Sequence, residues 1–444
     1  MHMQLSSHKY VDGIPKVKSV DDTLKHVTSI AYSIGVTRVA DITHLDVLRI
    51  PNYSVVLPGS IDNIWVYSGK GPTHKHAKAS ALMESIERYS ALASNFIYDG
   101  KSRVSTGSMN EMIMRHGRGN VLHVDDVVEA VSFNYNDHIP MDFIECYDIM
   151  NRNHVYVPAG LILTRYDLIA NKSGKINPFL YSHTNGLAAG NTIEEAIVQG
   201  LCEVIERDAV SIAELRSSVL AYHRLKSIIT RLNSQGIKVK DISSEDYVDD
   251  PDIYPEVDLT SSVENKYARF LISRFKREGI PLLVKDITSD IGIPTFIATS
   301  IQWITDDYAY MSEGHGTHPN KDVALIRAVT EVAQNRAANI QGARDDLRRM
   351  RYDASKSAEY RAWQFMHSSR KVDYSSIPSY EHDDVLDDIE FILSRLRRAG
   401  LDKVVVADLT HDSTKVPVVR VIVAGLETFK VSRSVIGERG MRYA

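Results

Sequence analysis

The chain has 444 residues, 43% hydrophobic and 25% charged, with a formal net charge of −5; this is a globular composition and excludes a global basic field for nucleic acid or an anionic membrane. Two cysteines, Cys146 and Cys202, exclude a disulfide framework and fit a reducing cytosol. Residues 1–10 lack the apolar core of a signal peptide and no apolar run is long enough to span a bilayer, so a soluble, cytoplasmic protein is expected.

In chain order, residues 19–33 read as a helix capped by Ser19 and ended by Gly35. Strand-like runs follow at 37–42, 53–57 and 64–68, separated by Pro51, Pro58 and Gly59. A helix is expected at about 75–95, then a weakly patterned polar stretch at 96–140 with one short helix near Asn110. Residues 143–147 and 154–158 read as a hairpin, and 192–220 as the longest helix. Residues 243–262, crowded with Asp, Glu and Pro, read as an exposed insertion. A helix at 267–278, strands at 282–287 and 295–301 and a helix at 321–340 come next. Residues 343–380 read as a mobile or partner-facing segment, and the last unit as a helix at 384–398 with strands at 403–409 and 417–424. No linker cleanly divides the chain, so the expected architecture is one interwoven α+β domain of mixed sheets and packed helices.

One pattern occurs three times. Glu84 and Glu87, Glu203 and Glu206, and Glu331 and Gln334 each stand three residues apart on a helix, with Ser80, Gln199 and Arg327 one turn upstream. Residues at that spacing share a face, so each segment offers a two-pronged oxygen set. Each copy also follows a glycine-bearing segment, read as a loop, and a cap: Gly69-Lys70-Gly71, Gly186 to Thr192, and Gly314-His315-Gly316 to Asn320. A single Glu-x-x-Glu is ordinarily a solvated face, but here Ala79, Leu82, Met83 and Ile86 leave little room for one, and Leu201, Cys202, Val204 and Ile205 repeat that restriction. Carboxylates in apolar helices need a cation or a hydrogen-bond partner. Converging, the three helices would place five carboxylates around one centre, and an all-oxygen set suits Mg²⁺ rather than zinc. A Mg-nucleotide site without a phosphate-binding loop is therefore expected; Gly69-Lys70-Gly71 lacks the spacing and the Ser/Thr of one.

These segments together resemble the YcaO superfamily. The likeness rests on Ser80-Ala81-Leu82-Met83-Glu84-x-x-Glu87-Arg88, Asn185-Gly186-Leu187-Ala188-Ala189-Gly190, Glu203-x-x-Glu206-Arg207-Asp208, and Arg327-Ala328-x-x-Glu331-x-x-Gln334. Residues 35–43 near the start and 417–427 near the end add to it. The resemblance implies the YcaO fold, with residues 1–62 as part of the core, 63–430 as the ATP-binding domain and 431–444 as a short tail. It implies ATP and Mg²⁺ as cofactors and activation of a peptide backbone amide, whose oxygen receives the γ-phosphate and leaves as inorganic phosphate.

By position, Glu84, Glu87, Glu203, Glu206 and Glu331 match the family's Mg²⁺ ligands, with Glu203, Glu206, Glu331 and Arg327 expected to carry catalysis. Ser80, Asn191, Glu195, Gln199, Arg207, Arg327 and Gln334 match nucleotide contacts or the outer metal shell, and Lys16 and Lys70 are phosphate candidates. Lys16 stands where the family often has Arg, which keeps the charge but loses the bidentate fork. The chain ends without the proline-rich tail usual in azoline-forming members, and Ala424 replaces a common proline before Gly425. That points to the thioamide-forming branch, with a TfuA-like sulfur-delivery partner, a homodimer, and a glycine of methyl-coenzyme M reductase as one target. An azoline-forming cyclodehydratase, a non-catalytic nucleotide-binding scaffold and a dinuclear-metal hydrolase are the alternatives.

Four histidines, His74, His76, His315 and His318, lie in the glycine-bearing segments without a zinc-like ligand set and are expected to be structural. Cys202 is expected to be a buried, inert thiol. Arg344, Arg348, Arg349 and Arg351 read as a solvated basic face.

Overall fold

The computed structural model describes residues 3–11, 15–59, 64–98, 103–243, 247–260, 263–305, 308–343, 361–432 and 435–443. The cluster Arg344, Arg348, Arg349 and Arg351 lies outside the described residues.

In chain order the first elements are α1 (Val20–Ser33), β1 (Arg38–Asp41), β2 (Asn52–Val56), β3 (Val66–Lys70), α2 (His74–Ala91), α3 (Ala93–Tyr98), β4 (Val104–Gly107) and α4 (Met109–His116). There follow β5 (Met141–Asp148), β6 (Asn153–Pro158), α5 (Ala159–Ile162), α6 (Tyr166–Lys172), β7 (Leu187–Ala189), α7 (Ile193–Glu214), α8 (Leu220–Ser234), β8 (Glu256–Asp258) and α9 (Lys266–Glu278). The last are β9 (Leu283–Asp286), β10 (Thr295–Thr305), β11 (Tyr308–Thr317), α10 (Lys321–Gln341), β12 (Lys371–Asp373), α11 (Val385–Arg398), β13 (Val404–Asp408) and β14 (Val418–Val423).

The chain divides into two compact units. The first comprises Met1–Ile42, Pro51–Arg207 and Glu381–Val435; the second comprises Thr43–Ile50, Asp208–Tyr380 and Ile436–Ala444.

In the first unit β1, β2 and β3 form an antiparallel sheet whose core joins Val27, Ala31, Val55 and Tyr67 to Leu82 and Ile86 of α2. A second sheet has the order β4-β5-β13-β14-β7, with β6 on β5. Its core includes Met141, Phe143, Val155, Val157, Leu187, Val405 and Val418. The expected hairpin of β5 and β6 is present, but the polar stretch before it holds more order than its pattern showed. The short helix expected near Asn110 is α4, capped reciprocally by Ser108 and Glu111, and the unexpected order includes β4, paired to β5.

In the second unit the sheet order is β11-β10-β9-β8-β12. Leu271, Phe275, Val284, Phe296, Ala324, Val329 and Val332 form its core between sheet and helices. Three expectations are corrected here. Residues 243–262 are not simply an exposed insertion: Tyr254 and Val257 are buried, and β8 lies inside the sheet. Residues 361–380 are packed, with Trp363 and Tyr374 buried and β12 running parallel to β8. The helix expected at 192–220 ends at Glu214; a π-helical turn, Leu215–Val219, separates it from α8.

The glycine-bearing segments before the acidic helices are largely strands rather than loops. Gly69 and Lys70 end β3, Leu187–Ala189 is β7, and Gly314-His315-Gly316 lies within β11. A Cβ on Gly69 would collide with backbone atoms of Ala77 and Ala81 in α2, and one on Gly314 or Gly316 with the Ala328 or Ala324 carbonyl oxygen in α10. These glycines let a strand backbone lie directly on a helix backbone.

Candidate active site

The caps come first, because they aim the helices. Thr73 Oγ1 accepts from His76 N–H at the start of α2, Thr192 Oγ1 from Glu195 N–H at the start of α7, and Asn320 Oδ1 from Asp322 and Val323 N–H at the start of α10.

On α2, Ser80, Glu84 and Glu87 share a half-buried stripe. Arg88 holds Glu84, with Nη2 2.8 Å and Nε 2.9 Å from Oε1, and its Nε stands 4.0 Å from Glu87 Oε1. The backbone N–H of Ala189 in β7 donates to Glu87 Oε2 at 3.0 Å. Burial and the neighbouring Glu84 and Glu203 carboxylates push Glu87 well above the usual carboxylate range, against the pull of Arg88 and the Ala189 amide. On α7, Glu203 is pushed up to about 7 by burial and by Glu206 and Glu84, opposed by Arg207 and Arg420. Glu206 is buried at 4% exposure. The first unit thus places Glu84, Glu87, Glu203 and Glu206 in one electrostatic neighbourhood.

A second cluster in the same unit is fully paired. Glu195, 4% exposed, accepts from Lys16 Nζ at 3.0 Å, from Val17 N–H at 3.1 Å and from Asn191 Nδ2 at 3.2 Å. Thr23 Oγ1 in turn donates to Asn191 Oδ1 at 2.9 Å. Burial works to raise the Glu195 pKa, but Lys16 and these donors bring it below the ordinary value. Lys16, Asn191 and Glu195 are therefore gathered; Ser80, Gln199, Arg207 and Lys70 are half-buried in the same unit.

Arg327, Glu331 and Gln334 belong to the second unit, where they are half-buried positions on α10. Glu331 Oε1 is 3.5 Å from Nδ1 of His315, itself 4% exposed on β11. The other histidines are local fasteners: His76 Nδ1 pairs with Thr73 Oγ1 at 2.7 Å, His318 Nδ1 accepts from Asn320 N–H at 3.0 Å, and His74 lies 3.4 Å from Asp41. Cys202 is fully buried.

Among the described residues, no group of three His, Cys, Asp or Glu side chains forms a ready-made metal cage. The donor set nonetheless fits Mg²⁺, which keeps most of its waters and takes only one or two carboxylates beside substrate phosphates. These carboxylates raise one another's pKa despite Arg88, Arg207 and Arg420, and a divalent ion would relieve that repulsion.

Reading the sequence for acidic pairs missed Arg420, His183 and Glu129. Arg420 interrupts the apolar run Val418-Val419-Arg420-Val421-Ile422-Val423 on β14, and a charged residue in a buried strand was the available signal.

The family model described as YcaO cyclodehydratase, ATP- and Mg²⁺-binding, matches residues 68–248 and 250–427. An uncharacterized protein of Methanothermobacter thermautotrophicus is 32% identical over 434 residues, covering 96% of this chain and 98% of that one. A protein of Rhizobium leguminosarum bv. trifolii described as lying in the tfuA 3′ region is 29% identical, covering 88% and 84%. Among solved structures, YcaO from Methanopyrus kandleri bound with AMPPCP and Mg²⁺ has a TM-score of 0.68 at 22% identity, covering 95% of each chain. A heterocyclase in complex with substrate and cofactor has a TM-score of 0.74 at 21% identity over 97% of this chain, which spans 55% of that protein's length. The solved structures share the fold, the family model spans most of the sequence, and the chain belongs to the YcaO family, whose cofactors are ATP and Mg²⁺.

Proposed function

We propose that the protein activates a peptide backbone amide with Mg-ATP and exchanges its oxygen for sulfur. The observation that carries this reading is the pair of half-buried carboxylates, Glu87 and Glu203, raised in pKa beside Glu84 and flanked by Arg88, Arg207 and Arg420. Carboxylates perturbed by burial and by one another mark a candidate functional site, and a divalent cation would relieve their repulsion. When bound, Mg-ATP supplies the phosphoryl group that turns an amide oxygen into a leaving group.

The residues' part is positioning and neutralisation. Glu84, Glu87, Glu203 and Glu206 would hold Mg²⁺, one or two carboxylates to each ion; Lys16, Asn191 and Glu195, already locked together, are a preorganised edge for nucleotide. The assignment extends to Ser80, Gln199, Arg207, Lys70, Arg327, Glu331 and Gln334 on the family resemblance, beside which the repeated spacing supports Ser80, Gln199, Arg327, Glu331 and Gln334. In the reaction, hydrosulfide adds to the carbonyl carbon, the oxygen takes the γ-phosphoryl group with ADP leaving, and phosphate departs as C=S forms. Amide, HS⁻ and ATP give thioamide, ADP and HPO₄²⁻, with atoms and charge balanced.

The sulfur source is a sulfide equivalent carried by a TfuA-like partner; the description of the Rhizobium relative supports that choice. A glycine of methyl-coenzyme M reductase is the proposed target, and a cytoplasmic homodimer the working form, both carried over from the family resemblance. Azoline formation from a Cys, Ser or Thr side chain is the second reading, favoured by the likeness to the heterocyclase structure.

Calorimetric titration of Mg-ATP into wild type and Glu203→Gln is the first test. Saturable, Mg-dependent binding that collapses in the variant supports the site; equal binding in both removes the assignment. Mass spectrometry of the modified peptide separates the products: exchange of oxygen for sulfur marks a thioamide, and loss of water an azoline.

A further inference from the structure

Arg420 is 2% exposed, yet only one arm of its guanidinium is satisfied. Nη2 donates to the His183 carbonyl oxygen at 2.8 Å and meets His183 Nδ1 at 3.1 Å, while His183 Nε2 is 2.8 Å from Glu129 Oε1. Nε and Nη1 have no hydrogen-bond partner among the described residues. Leaving two guanidinium donors buried and unpaired is costly, and native proteins keep such groups where a catalytic role, an ion, a ligand or an ordered water accounts for them.

The surroundings say what kind of ligand. Arg420 pairs through its backbone with Leu187 of β7, and Val421 N–H donates to the Gly186 carbonyl oxygen at 2.8 Å. This register sets Arg420 beside the segment whose Ala189 N–H holds Glu87. Asn185, two residues before Leu187, carries a buried Oδ1 that is likewise without a partner among the described residues. The guanidinium also feels Glu203, Glu129 and Glu87. A neutral amide adds no charge to that balance and asks only for donors and an acceptor. Two donors lacking an oxygen and one acceptor lacking an N–H are the complement of a secondary amide.

We infer that Arg420, with Asn185, receives the substrate's backbone amide: Nε and Nη1 hold its carbonyl oxygen, and Asn185 Oδ1 accepts its N–H. This deepens the function proposed above and rests on it. His183, braced by Glu129, fixes the guanidinium plane. When a nucleophile adds to the carbonyl carbon, the π pair moves onto an oxygen already facing a fixed cation, in the manner of an oxyanion hole.

The test uses N-acetylglycine N-methylamide as a minimal neutral amide, titrated into the protein loaded with Mg²⁺ and AMPPCP and followed by saturation-transfer NMR. Wild type should bind it; Arg420→Gln should weaken it about tenfold or more, the scale of a charged hydrogen bond, and Asn185→Ala should weaken it too. AMPPCP affinity should stay within about twofold in both variants. Equal amide binding in wild type and variants overturns the proposal, as does no amide binding by nucleotide-loaded wild type. So does a tenfold loss of AMPPCP affinity in a folded Arg420→Gln, which would make Arg420 a phosphate ligand. Should Arg420→Gln fail to fold, Arg420→Lys, which keeps the charge and loses the fork, carries the same comparison. Amide binding without AMPPCP binding in wild type would sink the nucleotide reading alone.

Discussion

Arg88 reaches back one turn of α2 and clasps Glu84, with Nη2 and Nε 2.8 and 2.9 Å from the same carboxylate oxygen. It is the cation that the acidic helices supply to themselves, and it also lies 4.0 Å from Glu87. It does not quench the repulsion, since Glu87 and Glu203 stay above the carboxylate range.

Metal binding should therefore release a proton. Glu203 titrates at about 7, so near pH 6 it is mostly protonated, and Mg²⁺ must displace that proton; near pH 8.5 it is already ionised. Calorimetry of Mg-nucleotide binding in buffers of different ionisation enthalpy should report close to one more proton released at pH 6 than at pH 8.5. A release independent of pH would refute the assignment.

Lys285 gives a second pH dependence, in the other unit. It is fully buried on β9, donates to the Pro251 carbonyl oxygen at 2.8 Å and is pushed down to about 8 from 10.5, chiefly by burial. A base with a depressed folded pKa has its stabilising contribution in full above 10.5 and loses it as pH falls through about 8. The melting temperature of wild type relative to Lys285→Met should rise between about pH 8 and pH 10. A flat difference across that range would mean that Lys285 is solvated.

The strand–helix glycines should tolerate no side chain. Gly316→Ala or Gly69→Ala places a methyl on helix backbone, which cannot step aside as a flexible side chain can. Each should destabilise by about 3 kcal/mol or more in denaturant unfolding. Gly236→Ala, where a Cβ meets nothing within 4 Å, is the control and should cost only the strain of its positive φ.

Arg439 ties the end of the chain into the second unit. Nε and Nη2 each lie 2.8 Å from Asp208, and Nη2 is 2.5 Å from Asp290. Arg439→Met leaves a fully buried Asp208 without its cation and should cost about 3–5 kcal/mol. Adding Asp208→Asn should recover much of that loss in urea unfolding. No recovery would show that packing of the arginine stem, not the ion pair, carries the energy.

Local periodicity was enough to find the three acidic helices and their caps, and the resemblance of their motifs pointed to the family. Spacing of three and four residues puts Ser80, Glu84 and Glu87 on one stripe, and Arg88 within reach of Glu84, without reference to any other segment. The apolar neighbours of Cys202 anticipated its burial.

What the tertiary structure alone decided depends on partners far apart in sequence. Ala189 and Glu87 are 102 residues apart, and Arg420 and His183 are 237 apart; no window of sequence contains either pair. The register of β7 against β14 brings Arg420 to the carboxylates, and the contact of β11 with α10 turns an apparent glycine loop into a packed strand. Helical spacing is a property of the chain's own geometry, legible residue by residue. Burial of a charge, and the partner that repays it, exist only once distant strands and helices have closed around it.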